Sequence, residues 1–269
     1  MNHAVESSNP RQILNESTQP CLLPPCLCLQ PNPQKGLGAN TRRPQDSLGL
    51  PSVMGSREWV LRQGSAKEPI RCAIFISGSG SGMEAMVRYQ QANPSCGHVT
   101  SIVISDRPEA KGLVRATALG IESVCVPLSP ETSDPIQRRL SHEKTILETL
   151  AKSNIELVLL SGYMRLVSPN FVEQWSPYLI NIHPSLLPAF PGAHAHRDVL
   201  MSGVHVSGCT VHHVDAGMDT GEILGQCRVP VFSDDDEFSL AERVKIEEHR
   251  LYPTIIDHLV KHQFNPRAN

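Results

Sequence analysis

The chain has 269 residues, which is enough for one large domain or two small ones. A hydrophobic fraction of 40% and a charged fraction of 19% are ordinary for a globular protein, and a formal net charge of -3 gives no reason to expect binding to nucleic acid or to an anionic membrane. No apolar run reaches the ~20 residues that a transmembrane helix needs. Eight cysteines are unremarkable in a chain of this length, and Cys21, Cys26 and Cys28 have no matching Cys/His pair at zinc-ligand spacing. We therefore expect a soluble protein of a reducing compartment.

Residues 1–69 differ in composition from the rest of the chain. They are rich in Pro, Gln, Asn and Ser and show no apolar period of a strand or a helix. Such a segment buries too little apolar surface to offset the entropy of ordering, so we predict a disordered extension before a domain at residues 70–269. A targeting peptide and a true start at Met54 are alternatives that the residues leave open.

From residue 71 onward, short apolar runs alternate with helical patterns. Strands are predicted at residues 72–76, 99–104, 123–126, 157–160 and 179–182. Helices are predicted at residues 83–91, 112–119, 138–152 and 168–175. This alternation predicts an α/β domain with a doubly wound, mostly parallel sheet and helices on both faces.

The alternation ends after Pro188. Two strands at residues 204–214 and 222–231, joined by a turn-rich segment, predict a hairpin-like addition at one side of the sheet. Residues 238–262 predict a closing helix.

The strand predicted at residues 179–182 leads into an amide and an imidazole two positions apart. Asn181 and His183 would leave the same face of the strand, close to the end where open α/β sheets bind their ligands. A hydrogen-bond donor beside a group that can carry a proton is what an acyl-type transfer needs to stabilise a developing oxyanion. The alternative is a buried strand whose polar pair satisfies only its neighbours.

A glycine-rich turn, Ser-Gly-Ser-Gly-Ser-Gly at residues 77–82, follows the first predicted strand. Backbone N–H groups at the start of the next helix make such a turn a ready phosphate site. The turn matches neither the dinucleotide-binding pattern nor the P-loop pattern, and Asp106 is only a weak candidate for the acidic residue of the former. A flexible linker is the less favoured interpretation, because apolar elements flank the turn on both sides.

Residues 208–221 lead from a predicted strand into a loop with two carboxylates, Asp215 and Asp219. One of them could reach His183, pair with its charged form and fix its orientation. The alternative is a turn whose aspartates only face solvent.

Four histidines lie in two short segments of the same region: His194, His196, His212 and His213. Such a group suggests a metal site, but carboxylate and thiolate partners at ligand spacing are lacking. We predict that these histidines line a polar pocket and that the chain holds no metal.

Four motifs occur in a set order: Ile-Ser-Gly-x-Gly-Ser, Gly-Tyr-Met-Arg-Leu, Asn-Ile-His-Pro-Ser-Leu-Leu-Pro and Asp-x-Gly-x-Asp-x-Gly. Together they resemble the phosphoribosylglycinamide formyltransferases of the folate-dependent formyltransferase superfamily, over residues 71–262. The resemblance implies formyl transfer from 10-formyltetrahydrofolate to the amine of glycinamide ribonucleotide, in purine biosynthesis. It implies these two small molecules as the only partners, no nucleic acid or membrane, a cytoplasmic location and a monomer or homodimer.

The resemblance also implies site residues. Its catalytic positions correspond to Asn181, His183 and Asp219. Its phosphate and ribonucleotide site corresponds to Gly78, Ser79, Gly80, Ser81 and Glu248. Its folate site corresponds to Arg139, Met164, Arg165, Leu166, Val167, Asn181, Asp215, Ala216, Gly217 and Met218.

The chain departs from the family's pattern at two places. Gly82 stands where the family usually has asparagine, which puts one phosphate-side contact in doubt. Lys245 and Ile246 differ from the polar residues often found near the ribonucleotide, which leaves Glu248 as the securest residue of that group.

Formyltetrahydrofolate hydrolase is the alternative function. It shares the Asn/His/Asp set but transfers the formyl group to water, and it typically has histidine where this chain has Pro184. A methionyl-tRNA formyltransferase is expected to add a basic RNA-binding domain, and a non-catalytic binding module to lack one of Asn181, His183 and Asp219. The sequence favours transfer to the ribonucleotide.

Overall fold

The computed structural model describes residues 61–128 and 133–262 of the chain. Its strands are β1 (Ile70–Ile76), β2 (His98–Ser105), β3 (Glu122–Cys125), β4 (Leu157–Leu160), β5 (Leu179–His183), β6 (Val206–His213) and β7 (Ile223–Pro230). Its helices are α1 (Ser81–Ala92), α2 (Lys111–Ala118), α3 (Pro135–Lys152), α4 (Pro169–Trp175), α5 (Ala195–Ser202) and α6 (Glu237–Lys261). None of the described helices is both long and apolar enough to cross a membrane.

The seven strands form one sheet in the order β3-β2-β1-β4-β5-β6-β7. Strands β1 to β5 are parallel, whereas β6 pairs antiparallel with β5 and β7 antiparallel with β6. The mostly parallel sheet and the hairpin addition are therefore confirmed. The strand order reverses beside β1, which leaves a crevice at the carboxyl ends of β1 and β4.

The sheet is covered on both faces, which explains why its central strands are continuous apolar runs. Successive side chains of β1 leave opposite faces. Ile74 belongs to an apolar cluster with Met86 of α1 and Ile256 of α6. The next residue, Phe75, belongs to the cluster on the other face, where its ring centroid lies 6.2 Å from that of Phe171 in α4.

Side chains that cap the backbone set where three helices begin. Asp134 accepts from the N–H of Ile136 before α3, Ser168 from that of Phe171 before α4, and Asp236 forms a capping box before α6. A proline stands at the start of α3 and of α4, where its missing N–H costs nothing. Helix α3 accordingly begins at Pro135, three residues before the predicted start at residue 138.

The last part of the predicted extension contacts the domain. The backbone N–H of Leu61 donates to the Tyr178 hydroxyl at 2.7 Å, and that of Gly64 to the Val260 carbonyl at 2.8 Å. Residues 1–60 lie outside the described residues, and their disorder stays a prediction. We therefore propose that the domain starts at or before Leu61 rather than at residue 70.

The turn after β1 holds two helices close together. Gly80 has a φ of 69°, which only glycine adopts without strain. A Cβ at this position would lie 2.6 Å from the Cα of Gly112 in α2. The N–H of Gly112 in turn donates to the carbonyl of Gly78 at 3.0 Å. The start of α2 is thereby fixed against the turn.

We expect Gly80→Ala to lower the free energy of unfolding by roughly 2–4 kcal/mol, because it combines a left-handed backbone with a steric clash. Gly78→Ala is the matched control, since a Cβ there meets nothing within 4 Å, and its effect should stay below about 0.5 kcal/mol. Urea unfolding of both variants measures the difference. Equal stability of the two would contradict the prediction.

Candidate active site

A cleft of about 780 Å³ opens at the carboxyl ends of β1, β4 and β5. Ligand sites typically occupy ~300–1,000 Å³, so the cleft has room for a small molecule of substantial size. The structure brings every site residue predicted from the sequence to its lining: Gly78, Ser79, Gly80, Ser81, Arg139, Met164, Arg165, Leu166, Val167, Asn181, His183, Asp215, Ala216, Gly217, Met218, Asp219 and Glu248. Their individual roles stay predictions.

Asn181 is held by a histidine on the neighbouring strand. The register of β5 and β6 places His212 directly opposite Asn181. Nδ1 of His212 lies 2.8 Å from the carbonyl oxygen of His213, which can only accept, so Nδ1 carries the proton. Nε2 then accepts from the Asn181 amide at 3.1 Å. Burial lowers the pKa of His212 and so favours this neutral form.

This contact fixes the orientation of the Asn181 side chain. Among the described residues, the second amide N–H of Asn181 has no hydrogen-bond partner. A half-buried amide oriented in this way keeps one donor for a ligand at no cost of reorganisation.

His183 is buried, and oxygen atoms face both of its ring nitrogens. Its Nε2 lies 2.9 Å from the carbonyl oxygen of Phe190, and its Nδ1 lies 3.4 Å from Oδ2 of Asp219. The protonated imidazolium is the form that can donate on both sides.

The two aspartates of the loop after β6 have different contacts. Asp219 has a φ of 55°, accepts from the N–H of Gly192 at 2.8 Å and faces His183. Asp215 accepts from the N–H of Gly217 and from the Thr220 hydroxyl within its own loop. Asp219 is therefore the carboxylate that reaches His183, whereas Asp215 is held by hydrogen bonds within its own loop.

The carboxylate of Asp106 holds the glycine-rich turn in place through side-chain contacts. It is buried, accepts from the Ser77 hydroxyl at 2.6 Å and pairs with Nε of Arg165 at 2.6 Å. The Ser77 hydroxyl also accepts from the N–H of Met164 at 2.9 Å. Asp106 thus connects the turn after β1 to the segment after β4. Gly78, in that turn, is exposed to the cleft.

Apolar side chains and Arg139 line one part of the cleft. Met164, Leu166 and Met218 line it with exposed fractions of 61%, 61% and 53%. Exposed apolar surface of this kind, next to polar groups, is typical of a ligand-binding groove. The guanidinium of Arg139 adds positive charge, and an adjoining cavity of about 280 Å³ shares Arg139 and Leu166.

Glu248 brings a third acidic group to the cleft from α6, beside Asp215 and Asp219. It is half-buried, and its burial raises its pKa to about 7, with Lys245 acting weakly in the other direction. Near neutral pH it is therefore present both as a carboxylate and as a carboxylic acid.

The structure adds cleft residues that the sequence patterns did not single out, among them Ser161, Gly192 and Tyr252. Of the four histidines predicted to line a pocket, His196 and His212 do so. His194 instead stands at the N-cap of α5, a helix that was not predicted.

One group of described residues could hold a metal ion: Cys96, His98 and Asp257. It lies at the start of β2, the end of that strand away from the cleft. The Asp257 carboxylate already accepts from the N–H of Gly97 at 2.8 Å and pairs with Lys261 at 2.7 Å. These two contacts already satisfy the Asp257 carboxylate, and the group does not belong to the cleft. The cysteines 21, 26 and 28 lie outside the described residues.

Residues 70–256 match the family model described as formyl transferase. The phosphoribosylglycinamide formyltransferase of Bacillus subtilis (strain 168) is 38% identical over 189 residues, which are 70% of this chain and 93% of that protein. The trifunctional purine biosynthetic protein adenosine-3 of Drosophila melanogaster is 39% identical over 191 residues, but these are 71% of this chain and only 14% of that protein.

A solved structure gives the same result. The crystal structure of phosphoribosylglycinamide formyltransferase from Brucella melitensis is 40% identical and has a TM-score of 0.66. The match covers 73% of this chain and 98% of that one.

Proposed function

This chain belongs to the formyl transferase family, and on that premise we propose that it transfers a formyl group from 10-formyltetrahydrofolate to the amine of glycinamide ribonucleotide in purine biosynthesis. One observation carries the proposal. Asn181, His183 and Asp219 meet in a cleft that also contains a glycine-rich turn at a helix N-terminus. A phosphate site beside an oxyanion-stabilising pair suits a phosphorylated amine that accepts an acyl-type group.

The ribonucleotide would bind with its phosphate at residues 78–81. The N–H groups at the start of α1 and the positive end of its dipole favour an anion there. The exposed turn at Gly78 lets a ligand approach the backbone closely, because a glycine carries no Cβ. Glu248 would bind the sugar hydroxyls.

The folate would occupy the apolar part of the cleft. A flat aromatic ring system matches the exposed side chains of Met164, Leu166 and Met218. The positive charge of Arg139 suits the carboxylates of the folate's glutamate tail.

In the transfer, the substrate amine attacks the formyl carbon and the formyl oxygen gains the negative charge. The free N–H of Asn181 would stabilise this oxygen. The Nδ1–H of His183 would be the second donor, because its 3.4 Å distance to Oδ2 of Asp219 is long for a hydrogen bond and Phe190 already holds Nε2. Asp219 pairs with the charged imidazole. The bond from the formyl carbon to the folate nitrogen then breaks, and the proton lost by the amine balances the one that tetrahydrofolate gains.

Transfer to water, the alternative that the sequence left open, is not supported by the named relatives. Pro184 lines the cleft at the position where the hydrolases typically have histidine, which favours the amine as acceptor. A cytoplasmic location and a monomeric or homodimeric state belong to the same proposal.

We expect tetrahydrofolate to form from 10-formyltetrahydrofolate only when glycinamide ribonucleotide is present, because the amine is the formyl acceptor. The absorbance change of the folate and mass detection of the formylated ribonucleotide measure both products. Release of formate at an equal rate without the ribonucleotide would instead identify a hydrolase.

Asn181→Ala and His183→Ala should each lower kcat by about 10²–10³, because each removes one preorganised donor to the developing oxyanion. His205→Ala is the control, since this histidine is exposed and lies outside the cleft lining. Steady-state rates at saturating substrates give the comparison. Full activity in both cleft variants would rule out the assignment.

The KM for glycinamide ribonucleotide should rise as the pH falls through about 7, because the pKa of Glu248 is raised to about 7 and its protonation removes a charged acceptor for the sugar. The phosphate and amine of the substrate titrate in the same range. Glu248→Gln is therefore the matched control, since it cannot titrate and reports the substrate's own dependence. Identical profiles of KM in both proteins would show that Glu248 does not contact the ribonucleotide.

A further inference from the structure

Ser161 occupies the switch point of the sheet. It directly follows β4, between the turn after β1 and the catalytic end of β5. Its backbone N–H donates to the carbonyl of Phe75 at 3.0 Å, which extends the pairing of β4 with β1 and fixes where the side chain starts. Ser161 is half-buried and lines the cleft together with Gly82 and Asn181.

The Ser161 hydroxyl occupies the space that a side chain at position 82 would need. A Cβ added at Gly82 would lie 2.4 Å from the Ser161 hydroxyl oxygen, a separation that real Cβ atoms essentially never show. Gly82 lies in the first turn of α1, where the helix offers its N–H groups to an anion. The hydroxyl of Ser161 therefore stands where a side chain of residue 82 would otherwise reach.

The hydroxyl is available for a ligand. Among the described residues, the hydrogen bond of Ser161 runs through its backbone and none involves its side chain. A serine hydroxyl has one donor and rotates to suit an acceptor. A phosphate oxygen at the start of α1 would be such an acceptor, and a bond to a charged oxygen is stronger than one to a neutral oxygen.

We propose that the Ser161 hydroxyl donates a hydrogen bond to the phosphate-bearing end of glycinamide ribonucleotide, and that Gly82 is needed to leave this hydroxyl its space. This inference rests on the proposed function. Ser161 then determines the affinity for the ribonucleotide, a role that a side chain at position 82 would otherwise fill from the same space.

Ser161→Ala should raise the KM for glycinamide ribonucleotide about tenfold, which is the loss expected for one hydrogen bond to a charged group. Both kcat and the KM for 10-formyltetrahydrofolate should stay unchanged, because the hydroxyl lies at the phosphate end. Ser153→Ala is the matched control: this serine is also half-buried but precedes β4, at the other end of the strand. It should leave all three values unchanged.

A double variant tests whether the Ser161 hydroxyl and a side chain at position 82 exclude each other. Gly82→Asn alone should also weaken binding of the ribonucleotide, because its Cβ forces the Ser161 hydroxyl out of place. Ser161→Ala removes that oxygen, so the double variant should bind the ribonucleotide more tightly than Gly82→Asn alone.

Three results would overturn the proposal: an unchanged KM for the ribonucleotide in Ser161→Ala, an equal loss for both substrates, or losses in the double variant that simply add. Failure of the proposed function is recognised separately, because the unmodified protein would then form no formylated ribonucleotide.

Discussion

The order of the strands reverses beside β1, and the whole cleft depends on this reversal. The chain places β2 and β3 on one side of β1 and then β4 and β5 on the other. Helices that connect parallel strands must leave the sheet in opposite directions at such a point, which opens a crevice at the carboxyl ends of the strands. The glycine-rich turn follows β1, Ser161 follows β4 and Asn181 lies two residues before the end of β5, which brings the three together.

Two neighbouring histidines lie close to the carboxylate of Asp219 but differ in their other contacts. The Asp219 carboxylate lies 3.4 Å from Nδ1 of His183 and 3.7 Å from Nε2 of His212. Burial lowers the pKa of His212, and its Nε2 is engaged by Asn181. His212 thus serves as a neutral acceptor that orients the amide. The proposed acid role falls to His183, whose Nδ1 lies closer to the carboxylate than Nε2 of His212 does.

Local sequence patterns were sufficient for the sheet but not for every part of the site. Strand β4 was predicted at its observed residues, because a parallel strand buried on both faces is a short continuous apolar run. Helix α5 was missed because its eight residues follow His194, which gives no side-chain cap, so the usual start signal is absent. The residue pattern alone left Asp215 and Asp219 as alternatives, and only the resemblance singled out Asp219, whose left-handed backbone is a feature of the fold. The closeness of Ser161 to Gly82 could not be predicted, because it exists only through the fold.

Helix α6 links the proposed sugar-binding end of the cleft to the strands that carry the chemistry. The hydroxyl of Tyr252 lies 3.2 Å from the carbonyl oxygen of Leu160, the last residue of β4, and 2.9 Å from that of Ile180 within β5. Glu248 precedes Tyr252 by about one helical turn, so both side chains lie on the same face of α6. Ser161 and Asn181 directly follow Leu160 and Ile180. The two hydrogen bonds of Tyr252 therefore also fix the distance from Glu248 to Ser161 and Asn181. One contact between α6 and the strands β4 and β5 thus holds the residues proposed for the sugar, the phosphate and the oxyanion at fixed distances, which is the preorganisation that a transfer between two bound molecules requires.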